Sequence, residues 1–277
     1  MPPFDSRVHS HAQDPTRWAE RGGAEVLTWT GLDGAGFDAV VTTRHGGVSV
    51  GPYESLNLAL HVGDADEAVL ENRRRAAAAL GGGVDDLVVA DQVHGSEVAV
   101  VAEPGRGARS VTSAIAGTDA LVTTTPGLVL AILVADCAPV VLFDPEARVL
   151  GCAHAGWRGA LGGVLEATVA SMSALGAEPR RLLAGIGPAI GGERYEVGAD
   201  VVKAAADHLG EPNPFVRPGR PEHWWFDLQG AVLAILRRCG VERIALASID
   251  TGPPGPFFSA RAEGRCGRFA LLARIDP

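Results

Sequence analysis

The sequence predicts an α+β fold of layered mixed sheets, and three observations carry that prediction. Short apolar runs, many of them apolar on both parities, recur along the 277 residues, as expected of strands covered on both faces. Longer helical runs each stop in or just before glycine, the usual C-terminal signal. The strand-like runs outnumber the helical ones and often follow one another directly, which favours an α+β layout over a regular βαβ repeat. The order of the strands within the sheets is left open.

Taken in order, residues 1–22 are polar and aperiodic and read as a flexible tail, with one folded domain over 23–277. Strands are expected at AEVLTWT (24–30) and FDAVVTTR (37–44), then a helix at EAVLENRRRAAAALG (67–81). A run of strands follows: DLVVAD (86–91), EVAVVA (97–102), DALVTT (119–124), LVLAILVAD (128–136), PVVLFD (139–144) and VLGCAHA (149–155). One long helix is expected over 158–176, a strand at RLLAGIG (181–187), helices over 198–210 and 227–240, and a last strand at RIALAS (243–248). FFSARAEGRCGRF (257–269), with Arg261, Arg265 and Arg268, reads as a solvated strand pair.

Composition excludes several classes. With 47% hydrophobic and 21% charged residues the chain can build a sizeable core and is not globally disordered. A net charge of −9 argues against a nucleic-acid partner, while leaving small anionic substrates open. Cys137, Cys152, Cys239 and Cys266 contain no CxxC pair and suit reduced thiols in a cytoplasmic protein. The N-terminus lacks the apolar centre of a secretory signal. The longest apolar stretch, 127–143, is interrupted by Asp136 and Pro139, so no membrane partner is expected.

The chemistry concentrates where apolar strands end. Asp136 and Cys137 close LVLAILVAD-C, and Pro139 then breaks the ladder, which places both at a sheet rim. After the turn FDPEARV the chain returns as VLGCAHAG, so Cys137 and His154, 17 residues apart, are expected at the meeting ends of a hairpin. Cys152 shares a face with His154 and is a rival ligand. Ala153 and Ala155 point to the opposite face and suit close packing, so room beside the imidazole is expected to come from Gly156. In DQVHGSEV, Gln92 and His94 end a strand beside a turn glycine. Two imidazoles and a thiolate describe a catalytic zinc with an open fourth position. Copper competes for such ligands, and a metal-free Cys–His nucleophile is an equal alternative on spacing alone. Arg44, in the hydroxyl- and glycine-rich TTRHGGVSVGPYESLNL, and Arg158, at a helix start, are candidate phosphate contacts. GIGPAIGGERYEVG adds Tyr195 and Glu196 after backbone NH groups able to meet a phosphate, without forming a dinucleotide or Walker loop.

RHGGVSVGPYESLNL, HVGD, QVHG, TDALVTTTPGLVLAILVADCAPVVL, GCAHAGWRG, GIGPAIGGERYEVG and FFSARAEGRCGR together resemble the YfiH/laccase-domain family. Its members are also called multicopper polyphenol oxidoreductases, purine nucleoside phosphorylases of the laccase-domain type, or peptidoglycan editing factors. The resemblance spans roughly residues 25 to 275 in the family's order. It implies a layered α/β/β/α domain and one zinc held by His94, Cys137 and His154. It implies phosphorolysis of adenosine, inosine, guanosine and methylthioadenosine, together with adenosine deamination. For that chemistry Asp136 or Glu196 is expected to carry protons, Arg44 and Arg158 to hold phosphate, and Gln92 and Tyr195 to contact substrate, in a monomer or weak homodimer. Copper-dependent polyphenol oxidation and a Cys137-based hydrolase of peptidoglycan precursors are the alternatives. Two departures stand out: GPAIGGERYEVG where relatives often carry a cysteine, and IDTGPP in place of a cysteine–threonine pair. Neither removes a ligand.

Overall fold

The structure, a computed structural model, describes residues 15–252 and 254–277. In chain order the elements are β1 (Thr16–Arg21), β2 (Ala24–Trp29), β3 (Phe37–Thr42), α1 (Asp66–Ala78), β4 (Leu87–Val89), β5 (Val98–Val100) and β6 (Ala120–Thr123). The middle of the chain forms β7 (Val129–Val134), β8 (Ala138–Asp144), β9 (Val149–Ala155), α2 (Trp157–Leu161), α3 (Val164–Ala174), β10 (Leu183–Ile186) and β11 (Glu196–Val197). The last part comprises α4 (Ala199–Leu209), β12 (Val216–Pro218), β13 (Trp224–Phe226), α5 (Leu228–Arg238), β14 (Arg243–Leu246), α6 (Ala260–Glu263) and β15 (Phe269–Ile275).

Two six-stranded sheets, β1-β2-β3-β15-β7-β4 and β14-β10-β8-β9-β6-β5, form the body, with β11-β13-β12 as a small third sheet. Both large sheets are mixed: β4 runs parallel to β7, β5 to β6 and β10 to β14, and their other pairings are antiparallel. Three apolar cores define the layers. Between the sheets lie Leu27, Trp29, Val41, Ile132, Val141, Leu150 and Leu271. Outside the second sheet, residues of α2, α3, α4 and α5 pack on Val140, Leu142 and Ala153. Outside the first, α1 packs through Ala76 and Ala77 on Val40, Ala131 and Leu272. The layers are therefore helix, sheet, sheet, helix, and strands buried on both faces explain their apolar parities. The facing sheets touch closely: the Trp29 indole lies over Gly185, where a Cβ would sit 2.9 Å from the ring, and donates its N–H to the Ile186 carbonyl.

Four expectations need correction. Residues 16–21, read as tail, form β1, paired through all six residues with β2; residues 1–14 lie outside the described residues. Its polar, aperiodic sequence on an edge strand hid it, since none of its residues is buried. The helix expected over 158–176 is two, because Gly162 and Gly163 interrupt it and Gly163 adopts a left-handed φ of 94°. The third sheet, built partly from Glu196–Val197, was not foreseen. FFSARAEGRCGRF is not a solvated strand pair: Phe257, Phe258 and Cys266 are buried, α6 intervenes, and β15 runs inside the first sheet between β3 and β7.

Candidate metal centre and its pocket

The β8–β9 hairpin sets two of the expected ligands by register. Pro139 pairs with His154 and Ala138 with Ala155, so Cys137, one step beyond the ladder, comes level with Gly156 and diagonal to His154 on the same face. Ala153 and Ala155 pack in the helix-side core on the other face. A Cβ at position 156 would lie 2.9 Å from Cys137 Sγ and 3.0 Å from His94 Cδ2, so a hydrogen there makes the room. Cys152, two residues before His154, is fully buried between the sheets, and burial pushes its thiol pKa up. It is not part of the cluster.

His94 arrives differently. The chain leaves the first sheet after β4 and enters the second at β5, and His94 lies on that crossing with a left-handed φ of 61°. Asp119, fully buried ahead of β6, accepts hydrogen bonds from the backbone N–H groups of Val93, His94 and Gly95. The same carboxylate takes His154 Nδ1 at 2.8 Å. One buried acid thus fixes the loop that carries one histidine and the ring of the other. Burial raises the pKa of Asp119, but His154 and the loop N–H groups hold it below the usual range.

His94, Cys137 and His154 consequently converge. Their ligand atoms all lie within 4.8 Å of one another, His94 Nε2 is 3.8 Å from Cys137 Sγ, and the two imidazoles meet edge to face. Although burial raises the Cys137 pKa, the His154 and His94 imidazoles lower it to about 6. Burial lowers the His154 pKa, while the Cys137 thiolate and Asp119 raise it to about 9. Thiolate and imidazolium therefore stabilise each other here. All three residues line one cavity of about 470 Å³. Gln92 lines it too, its amide bonding both N–H and C=O of Leu133 like an added strand residue.

The other candidates stand elsewhere. Asp136, with a left-handed φ of 86°, accepts from the Thr251 and Ser259 hydroxyls and the Arg261 N–H, so its carboxylate ties the strand end beside Cys137 to the 251–261 segment. Glu196 is paired with Arg220, outside the cavity. Arg44 lies over the Phe258 ring and pairs with Glu263, and Arg158 lies over the Trp157 ring; neither lines the cavity. Tyr195 sits beneath Arg261, and burial pushes its phenol pKa up. The two departures from the family pattern meet in space: Asp250 accepts from the Gly191 N–H and pairs with Arg194. Unforeseen were Asp119 and the basic residues of the cavity wall, His61, Arg73 and Arg268.

Residues 38–276 match the family model described as multi-copper polyphenol oxidoreductase laccase. A purine nucleoside phosphorylase of Deinococcus radiodurans is 45% identical over 229 residues, covering 82% of this chain and 85% of that protein. One from Streptomyces coelicolor is 41% identical over 248 residues, covering 88% and 97%. Among solved structures, YlmD from Geobacillus stearothermophilus superposes with a TM-score of 0.89 at 34% identity, covering 96% of this chain and all of that one. YfiH of Bacillus licheniformis gives the same TM-score at 30% identity, covering 95% and 100%. With the layered fold and the His–Cys–His cluster in place, the chain belongs to the YfiH-like multi-copper polyphenol oxidoreductase laccase family.

Proposed function

We propose that the protein is a zinc-dependent purine nucleoside phosphorylase acting on adenosine, inosine, guanosine and methylthioadenosine, with adenosine deaminase activity at the same centre. The observation that carries the reading is the convergence of His94, Cys137 and His154 on one nucleoside-sized cavity, in a chain 45% identical to a protein named purine nucleoside phosphorylase. Two imidazoles and a thiolate with a position left over suit a catalytic zinc, and the Asp119 carboxylate on His154 Nδ1 is the outer-shell partner such a ligand takes. When bound, zinc supplies Lewis acidity.

The chain's own groups do the rest. Asp119 holds the proton on His154 Nδ1 and leaves Nε2 toward Cys137. Gln92, pinned to Leu133, presents a rigid wall, and Leu60, Val111 and Ala114 offer apolar surface to a base. In phosphorolysis a phosphate oxygen bonds to the ribose C1′, the bond from C1′ to the purine nitrogen breaks, and the purine leaves with a proton. Copper oxidation at several centres finds little support, since among the described residues this cluster is the single group of its kind. Among the described residues no helix is long and apolar enough to cross a membrane, and four free thiols suit the cytoplasm; a monomer or weak homodimer is part of the same proposal.

Incubation with adenosine tests the proposal. Adenine and ribose 1-phosphate are expected only with phosphate present, inosine without it, and His154→Ala removes both. Stoichiometric copper in protein purified without added metal, or no turnover of any purine nucleoside, overturns it. A second reading rests on the Cys137 thiolate beside two imidazoles: a Cys–His hydrolase of peptidoglycan precursors. A covalent adduct on Cys137 with such a precursor in metal-stripped protein would select it.

A further inference from the structure

Arg73 lies on α1 within the charged run ENRRR, yet it is 4% exposed and lines the same cavity as the His–Cys–His cluster. The helical period explains this: Val69, Ala76 and Ala77, at four before and three and four after, are all buried, so Arg73 sits on the inward face while Arg74 and Arg75 pair with Glu71 outside. Its Nε donates to the Leu58 carbonyl and Nη1 to the carbonyls of Gly107 and Ala108. Among the described residues no carboxylate pairs with it, and Nη2 has no protein acceptor. Burial lowers its pKa to about 10, with no acid to raise it. A buried guanidinium without a counter-charge is costly to the fold and is normally retained with an anion to meet it.

Two further basic groups share the wall. Arg268 bonds the carbonyls of Cys266 and Gly267 through Nη1 alone, which leaves its Nε and Nη2 for a ligand. His61, exposed at the cavity, has its pKa lowered by burial and then by Arg268 and Arg73, with Asp91 opposing. Among the described residues Asp91 is the one carboxylate in the cavity wall. The arginines of the wall outnumber it, and they belong to two segments far apart in sequence.

We propose that Arg73, Arg268 and His61 form an oxyanion subsite that binds inorganic phosphate beside the His94–Cys137–His154 centre. This rests on the phosphorolysis reading for its ligand and replaces Arg44 and Arg158, whose guanidiniums lie outside the cavity. Arg73 supplies a fixed donor, its direction set by three carbonyls, while Arg268 and His61 close over the anion from the mouth. The phosphate of a nucleotide would satisfy the same chemistry.

The test is equilibrium binding of inorganic phosphate alone to the metal-loaded protein by calorimetry, with no nucleoside present. Arg268→Gln should weaken binding about ten-fold or more, Arg73→Lys comparably, and Arg158→Ala not at all. Thermal unfolding identifies a misfolded variant, and Arg268→Gln, which removes contacts to two loop carbonyls and the Cys266 sulfur, keeps the test independent of Arg73. Phosphate binding unchanged in Arg268→Gln, His61→Ala and Arg73→Lys would overturn the subsite, even with phosphorolysis intact. Phosphate binding that needs these residues, with no phosphorolysis of any nucleoside, would uphold the subsite and remove the proposed function. A nucleoside monophosphate that binds through these residues while free phosphate does not would assign the subsite to a nucleotide and overturn the inorganic-phosphate assignment.

Discussion

The β8–β9 hairpin and the β4–β5 crossing each bring ligands to one point, by opposite means. The hairpin delivers Cys137 and His154 through the register of paired strands, a property of alternation and turn length. The crossing has no ladder around His94 and takes its shape from three N–H groups bonded to Asp119, a residue 25 positions further along the chain. A ligand on a ladder is held by many weak, distributed contacts; on the crossing the backbone of residues 93–95 is gathered by one buried acid, between the anchored Gln92 and Glu97.

Breaking that acid separates the two most sharply. Asp119→Ala should lower metal affinity about 100-fold, because it frees the His94 loop and the His154 ring together, while the hairpin ladder remains. Competition with a chromophoric chelator measures this, and affinity within a factor of two of the parent would show that the crossing holds its shape without Asp119. The charge on the hairpin gives a second, smaller comparison, between Cys137 and Cys152. In metal-stripped protein, iodoacetamide alkylation of Cys137 should rise with pH through about 6, because its folded pKa is depressed and the thiolate is present above that value. His154→Ala should move the midpoint upward, and Cys152, buried and with a raised pKa, should stay unmodified. A Cys137 midpoint near the ordinary thiol value would remove the imidazole pairing. The smallest effect belongs to Cys152→Ala, expected to lower stability by about 1 kcal/mol in urea unfolding while metal binding stays unchanged. A loss of metal would bring Cys152 back as a ligand.

This difference also explains what the sequence made legible. Strand alternation and a 17-residue spacing were enough to bring Cys137 against His154, and the face rule separated Ala153 and Ala155 from the site and pointed to Gly156. Most of the second sheet followed instead from short runs apolar on both parities, which the structure buries on both faces. Asp119 escaped it because an acid before an apolar strand looks like an ordinary turn residue, and its four partners lie 24 to 35 positions away. Asp136 was placed at a strand end, but its partners Thr251, Ser259 and Arg261 were out of reach of a local reading because they come from more than a hundred residues later. Arg73 went unread among the charges of ENRRR, although its helical phase, three and four residues from Val69, Ala76 and Ala77, is the signal that marks the inward face. β1 and β15 were lost to charged residues that shielded an edge in one case and preceded the strand in the other.

The routes of the chain carry one more consequence. β4 and β7 belong to the first sheet and β5 and β8 to the second, so His94 and Cys137 each stand on a connection that passes from one layer to the other, and His154 ends the second sheet. A metal ion coordinated by all three is therefore a rivet through the sandwich. Sliding or parting the layers moves the donor atoms apart, so by mass action occupancy at the rim and docking of the two sheets reinforce each other. The reactive centre then doubles as a gauge of whether the halves of the molecule are seated.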